Sequence, residues 1–193
     1  RTFLLEWGSQ GTGNGQFDEV QGTVDPVAGK VYTVEFSNHR VQVFDLDGNF
    51  LDKWGSPGNG DGQFVSPATI RVGPDGLLYV GDTNNGSNSR VQIFDAFGTW
   101  QGTLLDAAGD PARFSEAWGI AFDAAGNIYV SDYWQNSIRV FDPEWQEIGQ
   151  IADVAGAGPF KHPVSMVVDA DGNLYVVDYD NDRVVKLSLL AAG

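Results

Sequence analysis

The segment VYTVEFSNHRVQVFD, residues 31–45, decides the fold, because it joins two short runs rich in β-branched and aromatic residues through a polar connection. The same pattern returns as LYVGD (78–82) with RVQIFD (90–95), IYVSD (128–132) with IRVFD (138–142), and LYVVD (174–178) with RVVKL (183–187). Its tyrosines, at positions 32, 79, 129 and 175, are 47, 50 and 46 residues apart. A repeat of this length made of short strands is typical of propeller blades. The sequence therefore predicts an all-β propeller of four four-stranded blades.

Each repeat contains four strands, a to d, separated by turns rich in Gly, Asn and Asp, which tolerate a positive φ. The predicted repeats span about 17–63, 64–113, 114–159 and 160–189 of a single domain, after a closing strand and loop over 1–16. The opening stretch FLLEWGS (3–9) matches FLDKWGS (50–56), which is strand d of the first repeat. The last repeat ends after strand c. We therefore expect the N-terminal strand to complete the last blade, either in cis or in trans from a neighbouring copy.

Composition excludes several classes of protein. The 193 residues carry a net charge of -15, with 11 basic against 26 acidic residues, so nucleic acid is a poor partner. The longest apolar runs are too short to insert in a membrane. Cysteine is absent, which removes disulfides and thiolate metal sites. Acidity and the absence of an initial Met favour a processed extracellular or cell-surface protein.

Two segments, VEFSNHRVQVFD (34–45) and GNGDGQFVSP (58–67), resemble the NHL repeat, which is named for its Asn-His-Leu positions. Asn38 and His39 match the first two positions, and Arg40 replaces the Leu. The resemblance extends over essentially the whole chain and implies the propeller fold. The family includes RNA-binding domains, protein-interaction modules, extracellular sensors and peptide-amidating lyases, so the resemblance leaves function open. Most members have six blades, so four blades imply a small closed ring or part of a larger array.

An acidic residue ends each strand b, and an arginine opens each strand c. The four predicted pairs are Glu35/Arg40, Asp82/Arg90, Asp132/Arg139 and Asp178/Arg183. Because the pair recurs in every blade, we interpret it as structural, an ion pair or a set of hydrogen bonds that ties the b–c hairpin.

Metal chemistry has little support in the sequence. The turns DLDGN (45–49) and DADGN (169–173) resemble the start of a calcium loop but lack the Glu at its twelfth position. We interpret them as hairpin turns, with calcium binding as the alternative. Family lyases hold zinc with histidines, and this chain has only His39 and His162. The sequence therefore predicts no cofactor and no enzyme, with a metal-dependent lyase or a lactonase-type propeller as the alternative.

One loop face is the candidate site, because the d–a and b–c connections of a propeller lie on the same side. It collects Phe36, His39, Trp118, Tyr133, Trp134, His162 and Tyr179. Large aromatic residues in loops suit sugar rings, peptides and protein hot spots, although Trp118 could instead pack between blades. We therefore predict a non-enzymatic scaffold that recognises a protein, peptide or glycan. The alternative is a self-assembling subunit joined to copies of itself by strand complementation.

Overall fold

The structure, a computed structural model, describes residues 1–83 and 89–189. The four-bladed propeller predicted from the sequence is confirmed. Each blade is an antiparallel meander in which sequential strands are neighbours. In the described residues the only helix is a 3-10 turn at Tyr179–Asn181, so no helix there could cross a membrane.

The strands follow one another along the chain as repeated blades. Before blade 1, two short strands pair in parallel: β1 (Ser9–Gln10) and β2 (Gln16–Phe17). Blade 1 comprises β3 (Val20–Asp25), β4 (Lys30–Glu35), β5 (Arg40–Asp45) and β6 (Phe50–Trp54). Blade 2 comprises β7 (Pro67–Val72), β8 (Leu78–Asp82), β9 (Arg90–Phe94) and β10 (Trp100–Thr103). Blade 3 comprises β11 (Ala117–Phe122), β12 (Ile128–Asp132), β13 (Ser137–Phe141) and β14 (Glu147–Ile151). A short hairpin of β15 (Asp153–Val154) and β16 (Gly158–Pro159) leads to blade 4, with β17 (Pro163–Val168), β18 (Asn173–Asp178) and β19 (Arg183–Ser188).

The core lies between consecutive blades. Alternate residues of a strand point to opposite faces, so each central blade buries one face against the blade before it and the other against the blade after it. Between blades 1 and 2, Tyr32, Val34 and Val41 pack against Val80 and Phe94. Equivalent clusters join blade 2 to blade 3 and blade 3 to blade 4. This two-sided burial explains why the central strands are almost continuously apolar.

The N-terminal segment differs from its prediction in one respect. Among the described residues, blade 4 is a three-stranded sheet, and residues 1–8 lie outside every strand. Phe3 and Leu4 are 75% and 88% exposed. The prediction of pairing in cis is therefore wrong for this structure. The physical reason is that residues 1–8 stay beside blade 1, where the Trp7 ring lies 6.0 Å from that of Phe44, while blade 4 is at the other end of the array. Completion in trans stays a prediction.

The outer blades leave apolar side chains in solvent. In blade 4, Val177 and Val184 are register partners and are 37% and 63% exposed. The corresponding partners in blade 3, Ser131 and Ile138, are buried against blade 4. Val24 of β3 is also 52% exposed, at the other end of the array. The described blades therefore form an arc in which one face of blade 4 has no blade packed against it.

Candidate binding face

The aromatic residues predicted for the loop face come from separate connections that meet beside blades 3 and 4. Trp118 lies at the start of β11, and Tyr133 and Trp134 follow β12. His162 immediately precedes β17, and Tyr179 begins the 3-10 turn after β18. These are d–a and b–c connections, so the blade topology brings five of the seven predicted residues together.

The rings of this aromatic cluster are in direct contact. The imidazole of His162 is stacked on Tyr133, with centroids 4.4 Å apart and planes inclined by 12°. Trp134 meets both rings edge-on, at 4.9 Å from Tyr133 and 4.8 Å from His162. Trp118 is 6.4 Å from Tyr133. Aromatic pairs in such geometries are worth about 0.5–1.5 kcal/mol beyond their buried area, so the cluster is pre-organised.

The cluster surrounds a depression of about 310 Å³, lined by Trp118, Tyr133, Trp134 and Tyr179 with Glu116 and Val164. This volume is at the lower end of the range for small-ligand pockets. Trp134 and Tyr179 are 55% and 59% exposed, so their ring faces are available to a ligand. Sequence reasoning missed Glu116 and Val164. Their only signal was proximity in sequence to Trp118 and His162.

The polar groups around the depression are mainly acidic. Glu116 accepts a hydrogen bond of 2.8 Å from the indole Nε1 of Trp118, which fixes that ring. Asp180 lies 2.7 Å from Nδ1 of His162 and 3.7 Å from Nζ of Lys161. Partial burial raises the pKa of Tyr133, and the nearby charge of Asp180 raises it further. The phenol therefore stays protonated at neutral pH and can donate a hydrogen bond.

Phe36 and His39 lie apart from this cluster. Phe36 lines a second depression of about 380 Å³ together with Val20, Ala68 and Trp118. His39 adopts a left-handed conformation with φ 54°, and its Nδ1 lies 2.6 Å from the carbonyl oxygen of Val65. This bond ties blade 1 to the connection before blade 2, so the geometry gives His39 a structural role.

Three of the four predicted blade pairs form. The arginine Nε to carboxylate distances are 2.8 Å for Glu35/Arg40, 3.7 Å for Asp82/Arg90 and 2.6 Å for Asp178/Arg183. Each arginine also donates to carbonyls of the preceding d–a connection. The predicted structural role therefore extends beyond the hairpin, because the pair anchors a neighbouring loop.

The prediction of an Asp132/Arg139 pair is wrong. Asp132 is the register partner of Ser137, whereas Arg139 is opposite Val130. Arg139 instead pairs with Glu147, its Nη2 and Oε2 being 2.5 Å apart. The physical reason is a shift of two residues, since Phe141 takes the place of Phe44 and Phe94, and Ser137 rather than Arg139 therefore takes the place of Arg40 and Arg90.

The aspartates of the candidate calcium turns are used inside the turns. Asp45 Oδ1 accepts hydrogen bonds from the backbone N–H groups of Asp47 and Asn49, and Asp169 accepts the same bonds from Asp171 and Asn173. Asp123 and Asp142 make the same contacts in blade 3. This geometry is that of an Asx-capped hairpin turn, which accounts for the recurring Asp without a bound ion.

Comparison with known families agrees with this architecture. The family model described as NHL repeat matches residues 64–94, 114–141 and 160–187, which fall on blades 2, 3 and 4. The chain is therefore an NHL-repeat β-propeller. No curated protein has a sequence that matches it.

Several solved structures share the fold. A chain of the nidogen/laminin complex is 20% identical with a TM-score of 0.65, over 86% of this chain and 57% of that one. Virginiamycin B lyase from Staphylococcus aureus is 14% identical with a TM-score of 0.60, over 89% of this chain and 55% of that one. The WD40 propeller domain of Doa1 is 14% identical with a TM-score of 0.66, over 93% of this chain and 53% of that one. The chain thus spans a little over half the length of these structures. At such identities the likeness shows the fold alone.

Proposed function

We propose that this chain is a non-enzymatic propeller scaffold that recognises a protein, peptide or glycan ligand through its aromatic cluster. The observation that carries the proposal is the convergence of Trp118, Tyr133, Trp134 and Tyr179 around one depression. Loops held on a rigid sheet scaffold are the usual place for binding residues, and Trp and Tyr are the residues most enriched in binding hot spots.

The geometry of the cluster supports recognition rather than packing. Trp134 keeps more than half of its surface in solvent although it touches both Tyr133 and His162. A ligand that covers the exposed rings would remove apolar area from water without first ordering the side chains, because their mutual contacts already hold them. The carboxylates of Glu116 and Asp180 give the rim hydrogen-bond acceptors.

The propellers of similar fold include both a binding partner and enzymes. One similar structure is a chain of the nidogen/laminin complex, whereas virginiamycin B lyase is an enzyme. The binding role is favoured here because the two histidines are engaged separately, His39 with a backbone carbonyl and His162 with Asp180. Across 1–83 and 89–189, no three His, Asp or Glu side chains are grouped to hold a metal ion.

A selection experiment tests the proposal. A displayed random-peptide library and a glycan array are applied to the chain and to Trp134→Ala, with Trp100→Ala as the control because Trp100 is a partly exposed residue on β10, away from the cluster. We expect ligands that bind the chain and the control equally and lose at least roughly tenfold in affinity for Trp134→Ala. Ligands that bind all three proteins equally would overturn the proposal.

Self-assembly is the second candidate, and the exposed face of blade 4 favours it. Val167, Val177 and Val184 are all solvent-exposed, and the same face of blade 3 is buried by a neighbouring blade. We propose that a second copy covers it. Light scattering of the chain, of Val177→Lys/Val184→Glu and of a deletion of residues 1–8 tests this. We expect a dimer or larger species that the double substitution converts to monomer. A monomeric parent chain at high concentration would reject it.

A further inference from the structure

Blade 3 departs from the other blades at one position of its third strand. The residue opposite the acidic end of the second strand is an arginine in blades 1, 2 and 4, with pairs Glu35–Arg40, Asp82–Arg90 and Asp178–Arg183. In blade 3 the residue opposite Asp132 is Ser137. The chain therefore keeps the carboxylate of this pair in all four blades and omits the guanidinium in one.

The arginines of the other blades show what occupies this position. Arg40 donates to Glu35 and to the carbonyl oxygens of Thr12, Gly13 and Gln16. Arg90 donates to the carbonyls of Gly60 and Gln63, and Arg183 to those of Ala157 and Pro159. In each case a planar guanidinium fills the space between a buried carboxylate and the preceding d–a connection, a fit that its fork of donors allows.

In blade 3 the equivalent space is a cavity of about 480 Å³, lined by Ser115, Asp132, Ser137, Arg139, Glu147 and Gln150 among others. The hydroxyl of Ser137 is fully buried and has no hydrogen-bond partner among the described residues. Asp132 is 2% exposed and uses Oδ1 to accept from Ser115 N at 2.8 Å. Over 1–83 and 89–189, no donor reaches its Oδ2, the oxygen that accepts from arginine in blade 4. The buried hydroxyl of Ser137 is thus unsatisfied beside the nearly buried carboxylate of Asp132, at a cost that a bound donor would relieve.

Neither arginine that lines the cavity is bonded to Asp132 in the described residues. Arg139 directs Nε and Nη2 to Glu147 and Nη1 to the carbonyl of Arg113, and its guanidinium lies 4.6 Å over the ring of Phe114. Its charge is therefore matched by Glu147. Arg113 also lines the cavity, but its side chain is exposed and its charge is screened by solvent. Within the described residues, Asp132 has no ion pair with a basic side chain, whereas Arg139 is paired with Glu147.

We propose that this cavity is a binding site for a guanidinium group, carried by the arginine side chain of a peptide ligand. The bound group would donate to Oδ2 of Asp132 and to Ser137 Oγ, and would take the place that Arg40, Arg90 and Arg183 fill in their own blades. The site is separate from the aromatic depression, so the test of this proposal does not depend on the proposed function. The two share one connection, because Ser115 Oγ accepts a hydrogen bond from the Trp134 backbone N–H.

The test uses methylguanidinium as the probe and methylammonium as the matched cation that lacks the planar fork. The amide signals of Asp132, Ser137 and Gln150 are followed by NMR in the full chain at constant ionic strength. We expect saturable shifts with methylguanidinium, and roughly tenfold weaker binding of methylammonium, the ratio expected for one lost charge-assisted hydrogen bond.

Two substitutions make the result decisive. Ser137→Arg places the repeat's own guanidinium beside Asp132, so we expect it to abolish the saturable shifts and raise the melting temperature. Ser137→Met fills the cavity without charge and should also abolish binding, which covers the case in which the arginine variant fails to fold. Trp134→Ala, which alters only the aromatic cluster, should leave the shifts unchanged. Absence of saturable shifts in the parent chain, or equal shifts in Ser137→Arg or Ser137→Met, would overturn the proposal.

Discussion

The imidazole of His162 is stacked on the phenol ring of Tyr133 at 4.4 Å while its Nδ1 lies 2.7 Å from Asp180. His162 lies in the d–a connection before blade 4. Its side chain therefore links that connection to the b–c connection of blade 3 through Tyr133 and to the b–c connection of blade 4 through Asp180. The backbone of His162 has a φ of 53°, and its N–H donates to Asn136 Oδ1. The position of the aromatic cluster therefore depends on the packing of two blades rather than on one loop.

Removal of that stack should loosen the cluster. His162→Ala deletes the contacts with Tyr133 and Trp134, and we expect it to lower the free energy of unfolding by about 1–2 kcal/mol. His162→Phe retains a ring and should recover most of the loss. Denaturant unfolding measures the stability, and the ring-current shift of the Tyr133 protons reports the stack. Unchanged Tyr133 shifts in His162→Ala would contradict this account.

Two glycines with the same backbone conformation isolate a contact between blades. Gly98 and Gly76 both have φ 79°, but a Cβ on Gly98 would lie 2.4 Å from the Trp54 ring, and one on Gly76 would have nothing within 4 Å. Both Ala variants should lose about 1–2 kcal/mol from left-handed strain. Gly98→Ala should lose about 1–3 kcal/mol more, because Trp54 must move. If chemical denaturation gives both variants the same loss of unfolding free energy, the Trp54 ring can move away from the new Cβ at no cost, which would contradict this prediction.

Trp54 should be the most costly tryptophan to truncate. Its ring lies 4.4 Å from Phe94 and 6.0 Å from Phe64 and packs against the core between blades 1 and 2. We expect Trp54→Ala to cost about 3–5 kcal/mol in unfolding free energy. Trp7 has the equivalent contact with Phe44 but is 39% exposed, so Trp7→Ala should cost clearly less.

A second substitution at the same site separates packing from polarity. The indole Nε1 of Trp54 is buried without a partner in the described part of the chain. Trp54→Phe keeps a ring and removes this unsatisfied donor, so we expect a loss of about 1 kcal/mol or less. A loss as large as that of Trp54→Ala would mean that Nε1 makes a stabilising contact, with water for example.

The repeat was visible in the sequence because its tyrosines and turns occur at nearly constant spacing, and burial on both faces gives every blade the same pattern. The similarity of 3–9 to 50–56 extends to one contact in the structure, since Trp7 lies on Phe44 as Trp54 lies on Phe94. It could not indicate that the segment stays unpaired, because hydrogen-bond partners of an edge strand depend on which blade is near it.

The register of blade 3 was missed for a physical reason. Matching Arg139 to Arg40 aligns the letters RV, but the buried Phe141 opposite Ile128 fixes the register, as Phe44 opposite Val31 does in blade 1. The arginine precedes that phenylalanine by four residues in blade 1 and by two in blade 3, which was the available signal. The stacking of His162 on Tyr133 had no such signal, since it arises only from the placement of one blade against the next.

Acid should weaken the Asx-capped turns in a defined pH range. Hydrogen bonds from the backbone and side chain of Asn173 lower the pKa of Asp169 from its usual 3.8 to about 2. A carboxylate with a depressed pKa in the folded state contributes stability that is complete above the unfolded pKa and is lost as the pH falls through the folded one. The contribution of Asp169 should therefore be present above about pH 4 and should disappear toward pH 2.

Thermal melts of the parent chain and of Asp169→Asn at several pH values check this expectation. The difference in melting temperature should be constant between pH 5 and 7 and should shrink below pH 4, because protonated Asp169 no longer accepts these bonds as an ion. Asp171→Asn is the matched control. It removes a charge from the same turn but leaves the bonds that Asp169 accepts from Asp171 and Asn173 in place. Its melting temperature should follow that of the parent chain through the same pH range, whereas a parallel loss in both variants would assign the effect to net charge.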